Sequence, residues 1–255
     1  MLVDSHCHLD FPELADQLGP VFELMRANDV ERALCVSVTL EDFPRVRKLA
    51  ETYPNLHASV GMHPDYEGVA VTVGQLVALA DHPRVVAIGE TGLDYYRLKG
   101  DLEWQRERFR AHIRAARECG KPLIVHTREA ADDTLRIMRE EGAGEAGGVM
   151  HCFTESQEVA EAAMGMGFHI SFSGIVTFKN AKALKEVARR VPLEKMLVET
   201  DAPYLAPVPY RGKTNQPGYV RHVAEEIARL KGVTLEQVAE KTTGNYYKLF
   251  NIIQD

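Results

Sequence analysis

The sequence predicts a closed (β/α)8 barrel, and three observations predict it. Apolar, β-branched-rich runs alternate with helix-period segments along the whole chain, and eight such runs are present. Strands that read as near-continuous apolar runs are buried on both faces, as in a parallel sheet covered by helices. Run after run also ends in a histidine or a carboxylate, which places polar chemistry at one mouth of the barrel. The length of 255 residues suits one such barrel.

The elements follow in order. The first strand, 2–6, leads through Leu2-Val3-Asp4-Ser5-His6-Cys7 to His8. Side chains two apart on a strand point the same way, so His6 and His8 can face one cation. Strands over 32–38 and 56–62 come next, the latter running into Gly61-Met62-His63-Pro64. The fourth, 85–90, ends on Glu90 and is followed by Thr91-Gly92-Leu93-Asp94-Tyr95-Tyr96. An amphipathic stretch from Leu102 to Cys119 precedes the fifth strand, 122–127, which carries His126. The sixth, 147–152, carries His151. The seventh, 169–173, is the least hydrophobic, and a helical stretch from Ala181 to Arg190 follows it. The eighth, 196–200, leads to Asp201. A Pro-rich loop then runs from Ala202 to Pro217, before helical segments over 218–231 and 234–249. No linker, low-complexity tract or internal repeat interrupts this pattern, so one domain over residues 1–255 is expected.

Composition narrows the class. The chain is 45% hydrophobic and 26% charged with a formal net charge of −7, which argues against a broad basic surface gripping duplex nucleic acid. A local cationic pocket remains compatible with it. No cationic leader and no apolar run long enough for a bilayer is present, so a cytoplasmic protein without a membrane partner is expected. No obligate protein partner is evident. The four cysteines form no Cys-x-x-Cys pair and read as reduced thiols, with Cys7 and Cys152 turned away from their neighbouring histidines by strand parity.

Of the ten histidines, His82, His112 and His222 fall in helical or helix-flanking segments and read as solvated, while His57 and His169 open their strands at the opposite mouth and read as packed. His6, His8, His126 and His151, with Glu90 and Asp201, remain at one mouth. Four imidazoles and two carboxylates without a thiolate suit Zn²⁺, Mn²⁺ or Fe²⁺, and less strongly Mg²⁺. Six ligands are too many for one tetrahedral ion but suit two divalent ions sharing a carboxylate, the bridging place falling to Glu90. Two ions so placed serve hydrolysis without a covalent nucleophile; there is no Gly-x-Ser-x-Gly elbow, and Ser5 faces away from His6. Asp201 is the candidate that also orients or deprotonates the attacking water. Beside these, His63 is placed to ligate an ion or touch substrate, and Asp94 to touch substrate. Arg211 and Lys213, on the basic loop after Asp201, are placed to meet a phosphate.

With these residues in view the chain resembles the TatD family of metal-dependent deoxyribonucleases, in the amidohydrolase-like barrel superfamily. The matching segments are Asp4-Ser5-His6-Cys7-His8-Leu9-Asp10, Gly61-Met62-His63-Pro64 and Ile88 to Tyr96. They continue with His126-Thr127-Arg128, His151-Cys152-Phe153-Thr154, Glu199 to Leu205, and Arg211-Gly212-Lys213-x-Asn215-x-Pro217. The resemblance implies that His6, His8, Glu90 and Asp201 surround one ion and that Glu90 bridges to a second held by His126 and His151. It implies hydrolysis of DNA phosphodiesters, exonucleolytic on single-stranded ends, with Asn215 among the substrate contacts and Tyr95, Tyr96 and Tyr204 available to stack on bases. Thr214 and Gln216 depart from the basic and acidic residues expected there. The rival activities are an amidohydrolase, for which no lysine ends strand four or five, and hydrolysis of the ester between an amino acid and tRNA.

Overall fold

The structure, a computed structural model, describes residues 1–253. Its strands are β1 (Leu2–Cys7), β2 (Val30–Cys35), β3 (Leu56–Val60), β4 (Val85–Asp94), β5 (Leu123–Arg128), β6 (Gly148–Met150), β7 (His169–Phe172) and β8 (Met196–Val198). They pair in parallel in chain order. β8 returns to β1 through Asp201 N–H to His6 O at 2.9 Å and His8 N–H to Ala202 O at 2.8 Å. The expected (β/α)8 barrel is therefore what the chain builds, and closure leaves no strand edge to pair with another chain. Around it lie α1 (Pro12–Ala15), α2 (Leu18–Ala27), α3 (Phe43–Thr52), α4 (Val73–Ala80), α5 (Glu103–Cys119), α6 (Ala131–Glu140), α7 (Gln157–Gly165), α8 (Lys182–Arg190), α9 (Val220–Lys231) and α10 (Leu235–Leu249).

Two apolar bodies hold the site in place. The larger packs the helices onto the outside of the sheet. The smaller joins Val3, Leu34, Val86, Ile124, Val149 and Leu197, which come from six strands and can meet only inside the barrel. Tyr246, Tyr247 and Phe250 at the end of α10 pack onto that inner layer. The fully buried Tyr246 also bonds through its hydroxyl to His57 Nδ1 at 2.9 Å. The mouth at the strand N-termini is thus plugged, and the chemistry is left to the other. Among the described residues no helix is long and apolar enough to cross a membrane.

β4 is longer than the sequence suggested. It runs past Glu90 because Thr91 to Asp94 pair with Val125 to Arg128 after a register shift following Ile88. Gly92 makes that pairing possible: a Cβ there would fall 1.9 Å from His126 O. Glu90 consequently sits within the register shift of a continuous strand, its N–H donating to Ser37 O at 3.1 Å. A second correction concerns His112, which is fully buried rather than solvated. Its Nε2 accepts Met62 N–H at 3.0 Å while Nδ1–H donates to Arg108 O at 2.8 Å, tying α5 to the loop that carries His63.

Candidate metal centre

The six residues singled out as ligands come together. His6 Nε2 lies 3.3 Å from His8 Nε2 and 3.3 Å from Glu90 Oε2. Asp201 Oδ1 is 3.7 Å from His6 Nε2 and 3.4 Å from His8 Nε2. On the other side Glu90 Oε1 stands 3.2 Å from His126 Nδ1, 2.7 Å from His151 Nε2 and 3.4 Å from His63 Nε2. Glu90 therefore offers one oxygen to each group. Ligands about 2.1 Å from a shared tetrahedral centre lie roughly 3.4 Å from one another, which is the spacing most of these atoms show. His151 Nε2 makes no aligned hydrogen bond despite its closeness to Glu90. The residues therefore offer the donor set of a divalent-cation centre, with Glu90 between two groups of donors.

Charges agree with this. Burial pushes the Glu90 carboxyl up, but the imidazoles of His151 and His63 outweigh it and hold the group well below the usual carboxylate range. Burial also opposes ionisation of Asp201, and the bond from His8 with the nearby His6 outweighs it, so this carboxyl too is held low. His63 is pushed down to about 3, mainly by burial, and stays neutral. Neighbouring carboxylates outweigh burial and hold His8, His126 and, most strongly, His151 above the usual imidazole value, so a cation bound there would displace their protons.

Backbone and outer partners fix the ring. Asp201 and Cys152 are non-glycine residues at φ +58° and +42°, an uncommon conformation that aims the side chains after β8 and β6. His8 Nδ1 meets Val36 O at 3.0 Å, and His126 Nε2 meets Asp94 Oδ2 at 3.2 Å. Asp94, expected to touch substrate, is buried and also accepts Tyr96 and Arg97 N–H, so its first task is to hold His126. Asp4 accepts Thr200 N–H at 2.9 Å and Thr200 Oγ1–H at 2.5 Å, which pins the end of β8 to β1.

A cavity of about 610 Å³ opens above the ring, lined by His63, Asp94, Arg128, Tyr66 and Tyr204 among others. Several expectations are corrected here. Arg211 and Lys213 do not line it; they lie over the rings of Phe178 and Tyr210. Asn215 is buried with its amide donating to Thr200 O and Tyr204 O, so it clamps the loop after Asp201. Cys152 does line the cavity, because β6 ends at Met150 and strand parity no longer applies. Tyr95 is anchored through its hydroxyl to Asp133 at 2.7 Å, whereas Tyr96 and Tyr204 are exposed. All four cysteines are free thiols.

Two residues were missed. Arg128 shares the strand face of His126, stacks on Tyr96 at 3.8 Å and lines the cavity. Glu199, fully buried, accepts from His151 Nδ1 at 3.1 Å. The alternation that paired His6 with His8 also pairs Arg128 with His126 on β5 and could have found it, whereas Glu199 lies past the end of β8, where parity no longer applies.

A sequence profile described as TatD related DNase matches residues 3–251. The chain belongs to the TatD family. It is 50% identical over 254 residues to the uncharacterized metal-dependent hydrolase YcfH of Escherichia coli K12, covering 98% of this chain and 96% of that one. It is 34% identical to the 3'-5' ssDNA/RNA exonuclease TatD of Citrobacter rodentium, over 89% of each chain. The crystal structure of the TatD homologue YJJV from E. coli K12 superposes with a TM-score of 0.91 at 29% identity, over 99% of this chain and 98% of that one.

Proposed function

We propose that this member of the TatD family, a metal-dependent hydrolase, cleaves phosphodiester bonds at single-stranded DNA ends with two divalent ions bridged by Glu90. The observation that carries the reading is the division of one carboxylate between two ligand groups, Oε2 toward His6 and Oε1 toward His126 and His151. His6, His8 and Asp201 would hold one ion, and His126 and His151 the other, as Mg²⁺, Mn²⁺ or Zn²⁺. Bound there, such ions polarise a phosphoryl oxygen and make water acidic enough to attack near neutral pH.

The chain's own groups supply the rest. Asp201, ionised and partly open to the cavity, is placed to accept the proton of the attacking water. Neutral His63, 3.4 Å from Glu90, faces the reacting phosphate. The Arg128 side chain makes no hydrogen bond or ion pair among the described residues, so its guanidinium, stacked on Tyr96, is available to a flanking phosphate, while Arg97 is engaged by Asp65 at 2.8 Å. Tyr66, Tyr96 and Tyr204 are exposed around the mouth and offer faces to unpaired bases. A mouth of this kind admits a strand end more readily than the side of a duplex, and the exonuclease name of the C. rodentium relative agrees.

The test uses metal-loaded protein with oligonucleotides labelled at either end, single-stranded or duplex, beside an aminoacyl-tRNA. Stepwise release of mononucleotides from the single strand supports the proposal. Ester hydrolysis with intact DNA would instead assign the site to deacylation.

A further inference from the structure

The proposed ions leave one buried carboxylate without a task. Glu199, next-but-one to Asp201, is fully buried, with Oε1 accepting from His151 Nδ1 at 3.1 Å and from Cys152 N–H at 2.8 Å. Its other oxygen, Oε2, has no protein partner, and neither has His6 Nδ1. The two residues belong to one corner of the site. The rings of His6 and His151 stack with centroids 3.9 Å apart at 12°. A ring nitrogen of each and a carboxylate oxygen of Glu199 all lie within 4.8 Å of one another.

We infer that Glu199 is a positioning residue shared by both ligand groups, holding His151 directly and His6 through one bridging water. The inference rests on the two-ion reading above. A neutral imidazole has one N–H and one lone pair. His6 and His151 turn Nε2 toward Glu90, so if those lone pairs serve as ligands, both Nδ1 atoms carry hydrogen. Each Nδ1–H then needs an acceptor, because a buried donor left unpaired is strongly disfavoured. Glu199 Oε1 meets one. Glu199 Oε2 is an unpaired acceptor on a residue of the same cluster, and a water between two such groups is a common solution in protein interiors. The same bookkeeping argues against a third cation in this corner, since two N–H groups point into it. One carboxylate thereby fixes the tautomer of a histidine from each ion site, and losing such an outer partner commonly weakens metal binding 10- to 100-fold.

Glu199→Gln separates the two legs. The amide keeps one carbonyl oxygen, which stays with the two donors of His151 and Cys152, and turns its NH2 toward His6, where an acceptor was needed. The experiment starts from His126→Ala, which disables the second group, and titrates the remaining site with Mn²⁺. Adding Glu199→Gln should weaken that site 10- to 100-fold, although Glu199 touches none of His8, Glu90 or Asp201. Melting of the metal-free protein should change little. In the Zn²⁺-loaded native sequence, histidine ¹⁵N spectra should show both His6 and His151 protonated at Nδ1, a readout that needs no variant to fold. Unchanged Mn²⁺ affinity in the double variant, or His6 without a proton on Nδ1, overturns the role of Glu199 while leaving two ions standing. Failure of His126→Ala to bind one Mn²⁺ overturns the two-ion reading and this inference with it.

Discussion

Replacing Glu90 by glutamine removes one negative charge and little else. The structure lets its consequence be worked through. Glu90 presents an oxygen to each group of ligands, 3.3 Å from His6 Nε2 and 2.7 Å from His151 Nε2. Two divalent ions bound on its two sides would lie ~3.5–4 Å apart. Unit charges at that distance interact by about 4 kcal/mol at an effective dielectric of 20, so two divalent ions repel by about 16 kcal/mol unless a charge between them offsets it. Even a tenth of that repulsion left uncompensated weakens the second ion more than tenfold. The fold should tolerate the change, since the amide keeps the shape of the carboxylate. In the metal-free protein the loss of one buried charge contact with His151 should cost a few degrees in a chain of this size. The assay is paired: equilibrium dialysis against Mn²⁺ for stoichiometry, and hydrolysis of single-stranded DNA for turnover. Expected are one tightly held ion instead of two and turnover lowered by at least 10²-fold. Two ions retained at native affinity, with near-native turnover, would refute the reasoning.

Three further outcomes follow from the same geometry. Asp201→Asn keeps the shape of the site and loses the basic oxygen, so hydrolysis should fall roughly 10²-fold or more with the fold intact; normal turnover would make another group the base. Arg128→Ala should raise KM for DNA and lower the log–log salt slope by about 0.7, the worth of one single-strand phosphate, whereas Arg211→Ala and Lys213→Ala should change little; the reverse ranking would return the phosphate grip to the loop after Asp201. His57 is held down to about 4 by burial, against 6.5 in a free side chain. The unfolded chain therefore binds the extra proton first as pH falls, and the stability this group contributes is complete above pH 6.5 and lost toward pH 4. Urea unfolding of the metal-free protein at pH 7 and pH 5 should show the parent losing about 2 kcal/mol more than His57→Gln; equal losses would contradict the burial argument.

What the sequence made legible is what strand alternation and strand ends control. His6 and His8 were paired by parity, and their Nε2 atoms lie 3.3 Å apart. The eight apolar runs correspond to the eight strands of the barrel. Less legible was anything set by chain that leaves the strand. Cys152 escapes parity because it follows β6 at positive φ. Asn215 looked like a substrate contact in a polar loop, but its amide is spent on backbone carbonyls that only the folded loop brings near. His112 sits in an amphipathic helix where solvent seemed its natural partner. Its acceptor role toward Met62 N–H depends on a long-range contact that local pattern does not contain. Arg128 was within reach of the alternation rule, which was applied to His126 and not to its neighbour two residues away, while Glu199 lies past the end of β8 and was not.

One titration tests the sharing of Glu90 between two ions most directly. Protein stripped by a chelator is reloaded with Mn²⁺ in steps while release of mononucleotides from a single-stranded DNA oligonucleotide is followed. Two ions sharing Glu90 predict that hydrolysis stays low through the first equivalent and rises to its full rate with the second. Full activity at one equivalent, or intact DNA at every loading, would contradict it.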